Sequence, residues 1–252
     1  MLIRLMKYEL MAAVRVVPVL WIIVLLLAVL NGAAIFGNLF MVAGVYPVIF
    51  IVFLLVLIAM VFAVLVSTAI RFYRSMVTDE GYLTHMLPVK PWELLTAKLL
   101  SALFWVLATM AVYLCAVLLL GAVLPIVNLS TVLAETGFAD LNWPLMILVQ
   151  ILSTARGLLQ LYTTILIGGF SDNHKLLCSI LAYLGISLAV NLLFSFWGLN
   201  TAGLAATYTV GDAVVQITYT AGSLKSILAE LILGACFFFS SRGLIANQVN
   251  LT

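Results

Sequence analysis

Thr78-Asp79-Glu80-Gly81-Tyr82-Leu83-Thr84-His85-Met86-Leu87-Pro88-Val89-Lys90-Pro91-Trp92-Glu93 lies between two long apolar runs. Its acids, its lysine, its histidine and its two prolines cannot sit in hydrocarbon without heavy desolvation and broken backbone hydrogen bonds. The segment must therefore lie in water on one side of a membrane. Its composition suggests a short helix that touches a soluble partner.

Working outward, 66% of the 252 residues are hydrophobic and only 8% are charged. A soluble domain carries about 25% charged residues, so the bilayer must be the solvent for most of this chain. A net charge of +2 gives no argument for nucleic acid. Cys115, Cys178 and Cys236 lie singly in apolar runs, with no CxxC and no histidine at ligand spacing. They read as small buried residues, and no metal site is expected.

The expected fold is an all-α integral membrane protein with six transmembrane helices. A span needs about 20 apolar residues to cross some 30 Å of hydrocarbon. Residues 1–15 form an amphipathic interfacial helix, with Ile3, Met6, Leu10 and Ala13 on one face and Arg4, Lys7, Tyr8 and Arg15 opposite. These charges leave no short apolar core for a cleavable signal peptide. The expected spans are 16–37, 48–70, 92–124, 143–170, 176–197 and 224–240. Residues 76–90 form a water-side segment, 126–142 an external loop, 171–175 a tight turn and 241–252 a tail. Residues 198–223 are too broken for a span and too apolar for a free loop, so a re-entrant or interfacial hairpin is expected there.

Arg4, Lys7, Arg15, Arg71, Arg74, Lys90, Lys98, Lys175 and Arg242 fall on the side that holds both termini; only Lys225 falls on the other. The positive-inside rule then makes both termini and the polar segment cytoplasmic.

Pro88 and Pro91 bracket a break, so Asp79–Leu87 has room for about two helical turns. Tyr82, Leu83, Met86 and Leu87 line one face of such a helix, while Asp79, Glu80 and His85 remain polar. An apolar ridge on a short water-side helix suits a groove on a partner.

The chain resembles the ABC-2 type permease subunits of bacterial ATP-binding-cassette exporters over nearly its whole length. The resemblance is carried by Leu5-Met6-Lys7-Tyr8-Glu9-Leu10 with Arg15, and by Arg71-Phe72-Tyr73. Above all it is carried by Asp79-Glu80-Gly81-Tyr82-Leu83 through Leu87-Pro88-Val89, followed by Trp92, Leu95, Lys98 and Leu99. This set looks like the cytoplasmic loop between spans two and three of the short permeases of peptide and antibiotic exporters. Asn247-Gln248-Val249-Asn250-Leu251 is similar to the family's Asn-Leu ending, without the lysines often found before it. The resemblance implies that Asp79, Glu80, Gly81, Tyr82, Leu83, Met86, Leu87 and Pro88 couple to an ABC ATPase subunit. It also implies a second permease subunit in a homodimer or heterodimer, and export of an amphipathic peptide, antibiotic or other hydrophobic compound.

No G-x-x-x-x-G-K-[ST] loop is present, so the chain is not expected to be an enzyme. No cofactor is expected on it, with ATP and magnesium on the partner ATPase. Inside the spans, Arg156 is the most costly residue and should face protein or a wet cavity. Gln150 and Gln160 extend polarity along its helix, as a dimer seam or a translocation path. Glu230 is a candidate partner, but the depths disagree: it lies about 9 Å from the outer end of its helix, and Arg156 about 18–20 Å from its own. An ion pair therefore needs a tilt or an offset. Asn31 and Asn191 are expected to hydrogen-bond between helices. An intramembrane protease would need paired aspartates or a Ser/His pair at depth, which the chain lacks. A secondary transporter or channel-like protein without an ATPase is the alternative, although Glu230 is the sole acid in a span away from its ends.

Overall fold

The computed structural model describes residues 2–14, 17–36, 45–78, 91–123, 143–170, 174–197, 204–210, 213–219 and 224–249. These hold seven helices: α1 (Leu2–Ala13), α2 (Val17–Phe36), α3 (Val45–Val77), α4 (Pro91–Val123), α5 (Trp143–Gly169), α6 (Lys175–Phe196) and α7 (Leu224–Val249). Two strands, β1 (Leu204–Val210) and β2 (Ala213–Tyr219), pair antiparallel from Leu204↔Tyr219 to Val210↔Ala213. The protein is thus helical, and four helical stretches are long and apolar enough to cross a membrane: Val48–Val77, Pro91–Ala116, Lys175–Phe196 and Lys225–Ile245. Val17–Gly32 is a shorter apolar helix. This supports membrane embedding.

Three boundaries differ from those expected. Helix α3 does not stop at Ile70 but continues through Arg71 and Arg74 to Val77, taking in the first residues of the 76–90 segment. Its 33 residues, like the 33 of α4, span about 50 Å, well beyond some 30 Å of hydrocarbon. Helix α7 continues through Ser241 and Arg242 to Val249, so most of the expected tail is helical. No proline or glycine pair lies between Ile70 and Val77 or between Ser240 and Val249, and a helix need not end where the lipid does. The third difference lies within 198–223, where the expected hairpin is a β-hairpin and so adds strands to an expected all-α chain. Its sequence mark is Gly211-Asp212 between two runs rich in Val, Thr, Ile and Tyr.

The chain forms two compact units. One comprises 1–6, 68–103 and 140–252, the other 7–67 and 104–139. In the second unit, Val24 and Ala28 of α2, Phe53, Leu57 and Met60 of α3 and Ala116 of α4 form the core. Trp21 Nε1 donates to Thr109 Oγ1 at 3.1 Å, and the Trp21 and Trp105 rings lie 5.5 Å apart. Asn31, expected to bond between helices, instead donates to the Leu27 carbonyl of its own helix at 2.9 Å. A carbonyl four residues back is always within reach of a helical Asn, whereas a cross-helix partner must be supplied.

In the first unit, α5 packs against both α6 and α7. From Leu158 to Leu166 it is buried except at Leu161, which is half-buried. That position explains its composition. A helix enclosed by protein needs no lipid-facing stripe, so Gln160, Tyr162, Thr163 and Thr164 are tolerated where each finds a partner. By contrast α6 exposes Leu177, Leu181, Leu184, Leu188 and Leu192, a surface suited to hydrocarbon.

Candidate functional site

Arg156 projects from α5 into a ring of groups from three helices. Its Nε donates to Glu230 Oε2 of α7 in a salt bridge. Its Nη1 donates to Gln160 Oε1, one turn further along α5, at 3.2 Å. Its Cζ lies 5.5 Å from the centroid of the Phe194 ring of α6. The Glu230 side chain is fully enclosed and that of Arg156 is 14% exposed. Neither charge would survive here alone, because removing an ion from water costs several kcal/mol unless its partner is in place. Glu230 Oε1 has no hydrogen-bond partner among the described residues.

The apparent mismatch in depth resolves as an offset between helices. Seven residues beyond Arg156, Thr163 meets Ser241 of α7, with 2.8 Å between the hydroxyl oxygens. Thr163 Oγ1 donates to the Leu159 carbonyl at 2.8 Å, so it accepts from the Ser241 hydroxyl. The contacts 156 to 230 and 163 to 241 advance together, so α5 and α7 run parallel. Arg156 is thirteen residues past Trp143 and Glu230 only six past Leu224. At Thr163 and Ser241 the same comparison gives twenty residues against seventeen, so α7 begins about 5–10 Å further along the common direction than α5. It is preceded by the hairpin, not by another helix.

On the α6 side, Arg156 and Gln160 open onto a cleft of about 430 Å³ whose far wall carries Tyr183, Ser187, Asn191 and Phe194. Asn191 Nδ2 donates to the Ser187 carbonyl at 2.8 Å, so it too bonds within its own helix and not across helices as expected. The cleft presents donors, acceptors, an aromatic face and a cation whose charge is already balanced by Glu230. Such a surface can hold a polar or zwitterionic group by hydrogen bonds. A bare carboxylate gains less, because Glu230 already holds the guanidinium.

A second set of contacts leads from this cluster toward the polar segment. Tyr162, two residues past Gln160 and 1% exposed, stacks on Phe72 of α3 with ring centroids 3.8 Å apart and planes 7° from parallel. Its hydroxyl donates to the Lys98 carbonyl of α4 at 3.4 Å, a long bond. Phe72 and Lys98 stand on the stretches of α3 and α4 that adjoin residues 79–90. At the end of α5, Gly168 lies so close to α6 that an added Cβ would fall 1.9 Å from Ser179 Oγ.

The residues expected to couple, Asp79, Glu80, Gly81, Tyr82, Leu83, Met86, Leu87 and Pro88, lie outside the described residues. Arg156, Gln160 and Glu230 come together. Gln150 does not: it is exposed and off the cleft, because six residues rotate it about 240° around the helix from Arg156. Reading the sequence quoted Phe72 only within Arg71-Phe72-Tyr73 and missed Tyr162 and Phe194, because an aromatic in an apolar helix gives no mark of its partner. It also missed the ladder Tyr183, Ser187, Asn191, whose four-residue spacing on an otherwise apolar helix could have revealed it. Among the described residues no group of three His, Cys, Asp or Glu could hold a metal ion. No family model, no curated protein and no solved structure matches this chain.

Proposed function

We propose that this chain is the membrane-spanning permease subunit of an ABC-2 type exporter in a bacterial plasma membrane. It forms the translocation path with a second permease and couples through residues 79–88 to a separate ATPase subunit. Helices α2 to α7 serve as six spans, both termini are cytoplasmic, and ATP with magnesium is held by the partner. The cargo is an amphipathic peptide, antibiotic or other hydrophobic compound, which the cleft beside Arg156 and Gln160 contacts as it passes.

The observation that carries the reading is the Tyr162 bridge. The ordered set Asp79-Glu80-Gly81 through Leu87-Pro88-Val89 is flanked by helices that outlast the hydrocarbon. Tyr162 ties those two helices to the helix that bears Arg156. A force applied at 79–88 thus has packed side chains through which to reach the polar cleft, which coupling requires.

Co-purification tests the reading. Leu83→Asp with Met86→Asp, aimed at the apolar ridge, should abolish recovery of the ATPase with the permease, or at least cargo-stimulated hydrolysis. Survival of both would remove the coupling role. Transport that persists in the absence of any ATPase would favour the secondary-transporter reading, for which the Arg156–Glu230 pair would be the ion-sensing element.

A further inference from the structure

A groove of about 270 Å³ runs between the α3 end near Ile70 and Tyr73, the last third of α5 at Leu161 and Ile165, and the start of α6 at Leu176 and Ile180. Its two small hydroxyls are already used. Thr164 Oγ1 donates to the Leu161 carbonyl and Ser179 Oγ to the Lys175 carbonyl, each at 2.8 Å. These walls thus ask for a hydrocarbon occupant. Ile70, Leu176 and Ile180 are themselves exposed, so the groove opens sideways at the protein surface.

The charge around it is one-sided. Arg74 is exposed one turn past Ile70, and Lys175 is half-buried one turn before Ser179. Within four residues of any lining position the sequence holds Arg71, Arg74 and Lys175 against the single acid Asp172. Neither Arg74 nor Lys175 has a carboxylate partner among the described residues. The end of α3 and the start of α6 meet across the groove, which puts both cations at one end of an apolar slot. A molecule with a negative phosphate at one end and hydrocarbon behind it matches that arrangement.

We propose that this groove binds one anionic phospholipid, with an acyl chain along Leu161, Ile165 and Ile180 and its phosphate at Arg74 and Lys175. The site is separate from the polar cleft, sharing only Tyr183 with it. It depends neither on the ATPase partner nor on the orientation of the chain in the membrane. Two interfacial cations each attract anionic lipid, and salt screens that attraction. Hydrocarbon contact alone would not distinguish headgroups.

Native mass spectrometry of the purified full-length protein, exchanged into an equimolar mixture of phosphatidylglycerol and phosphatidylcholine, tests this. The first retained lipid should be phosphatidylglycerol by a factor on the order of ten, shrinking at high salt. Arg74→Gln with Lys175→Gln changes partly or wholly solvated side chains and should bring the ratio close to one while lipid is still retained. Ala69→Trp, which fills the slot, should remove the retained lipid of either kind. Inorganic phosphate added to the mixture should not displace the lipid. Equal retention of the two lipids by the unchanged protein, a preference that survives the double glutamine change, or lipid retained with Trp at 69 would each overturn the proposal. Displacement by free phosphate would make the site a simple anion site and overturn it as well.

Discussion

The guanidinium of Arg156 and the carboxylate of Glu230 pair across parallel helices whose starting residues are offset by about one to two turns. The pair pins that offset. Sliding α7 by one residue would shift Glu230 along the axis by about 1.5 Å and rotate it about 100° away.

Removing one charge should therefore be worse than removing both. Glu230→Leu leaves Arg156 unbalanced and should destabilise the protein by about 3–5 kcal/mol, read as a lower midpoint in a thermal or denaturant melt in detergent. Arg156→Met combined with Glu230→Leu should recover most of that loss. A double variant as unstable as the single one would show that the pair is not the coupled element.

Arg156→Lys separates charge from geometry. A lysine keeps the cation but cannot reach Glu230 and Gln160 with a planar fork. Assembly should be largely kept, because Glu230 retains a counter-ion, while cargo-stimulated ATP hydrolysis by the reconstituted complex should fall. Unchanged stimulation would remove Arg156 from the path.

Two glycines of α5 should respond in opposite ways. Gly168→Ala would place Cβ 1.9 Å from Ser179 Oγ and 2.7 Å from the backbone N of Ser179 and O of Lys175, so α5 and α6 must part. A loss of about 1–3 kcal/mol is expected in the same melt, and Ser179→Gly should not restore it because the backbone atoms remain. Gly157→Ala meets nothing within 4 Å and should be neutral or stabilising by up to about 1 kcal/mol. Gly157 lines the polar cleft, so Gly157→Leu should obstruct transport without unfolding the protein.

Tyr162 should matter for its ring more than its hydroxyl. The 3.4 Å bond to the Lys98 carbonyl is long, so Tyr162→Phe should cost less than about 1 kcal/mol. Tyr162→Ala removes the stack on Phe72 and should cost about 3–5 kcal/mol. Phe72→Leu, which keeps apolar volume but no stacking, should uncouple ATP hydrolysis from transport while assembly persists. Full coupling in that variant would remove the bridge from the mechanism.

Orientation is checked by single cysteines at Thr84 and Ser130 in a background without the native three. An impermeant maleimide added to intact cells should label position 130 and spare position 84. The reverse pattern would invert the topology.

The helical membrane class and the place of nearly every helix were legible in the sequence, because both depend on local quantities. A run of some twenty apolar residues has one stable state in lipid, with every backbone group bonded within the run. Prolines and charges mark where such runs begin and end. Helix ends beyond the hydrocarbon were less legible: α3 passes Arg71 and Arg74, and α7 passes Arg242, because an Arg that stops a span does not stop a helix. The partners of the polar residues were not legible at all. Arg156 and Glu230 are 74 residues apart, and only the offset between α5 and α7 makes them neighbours. Asn31 and Asn191 turned back to their own helices, each donating to the carbonyl four residues before it. Sequence by itself determined which segments form long apolar helices, four of them long and apolar enough to cross a membrane, and that Arg156 is costly to bury among them. Tertiary structure alone decided what meets that cost, because the register between two helices is a sum of many side-chain contacts that no single segment encodes.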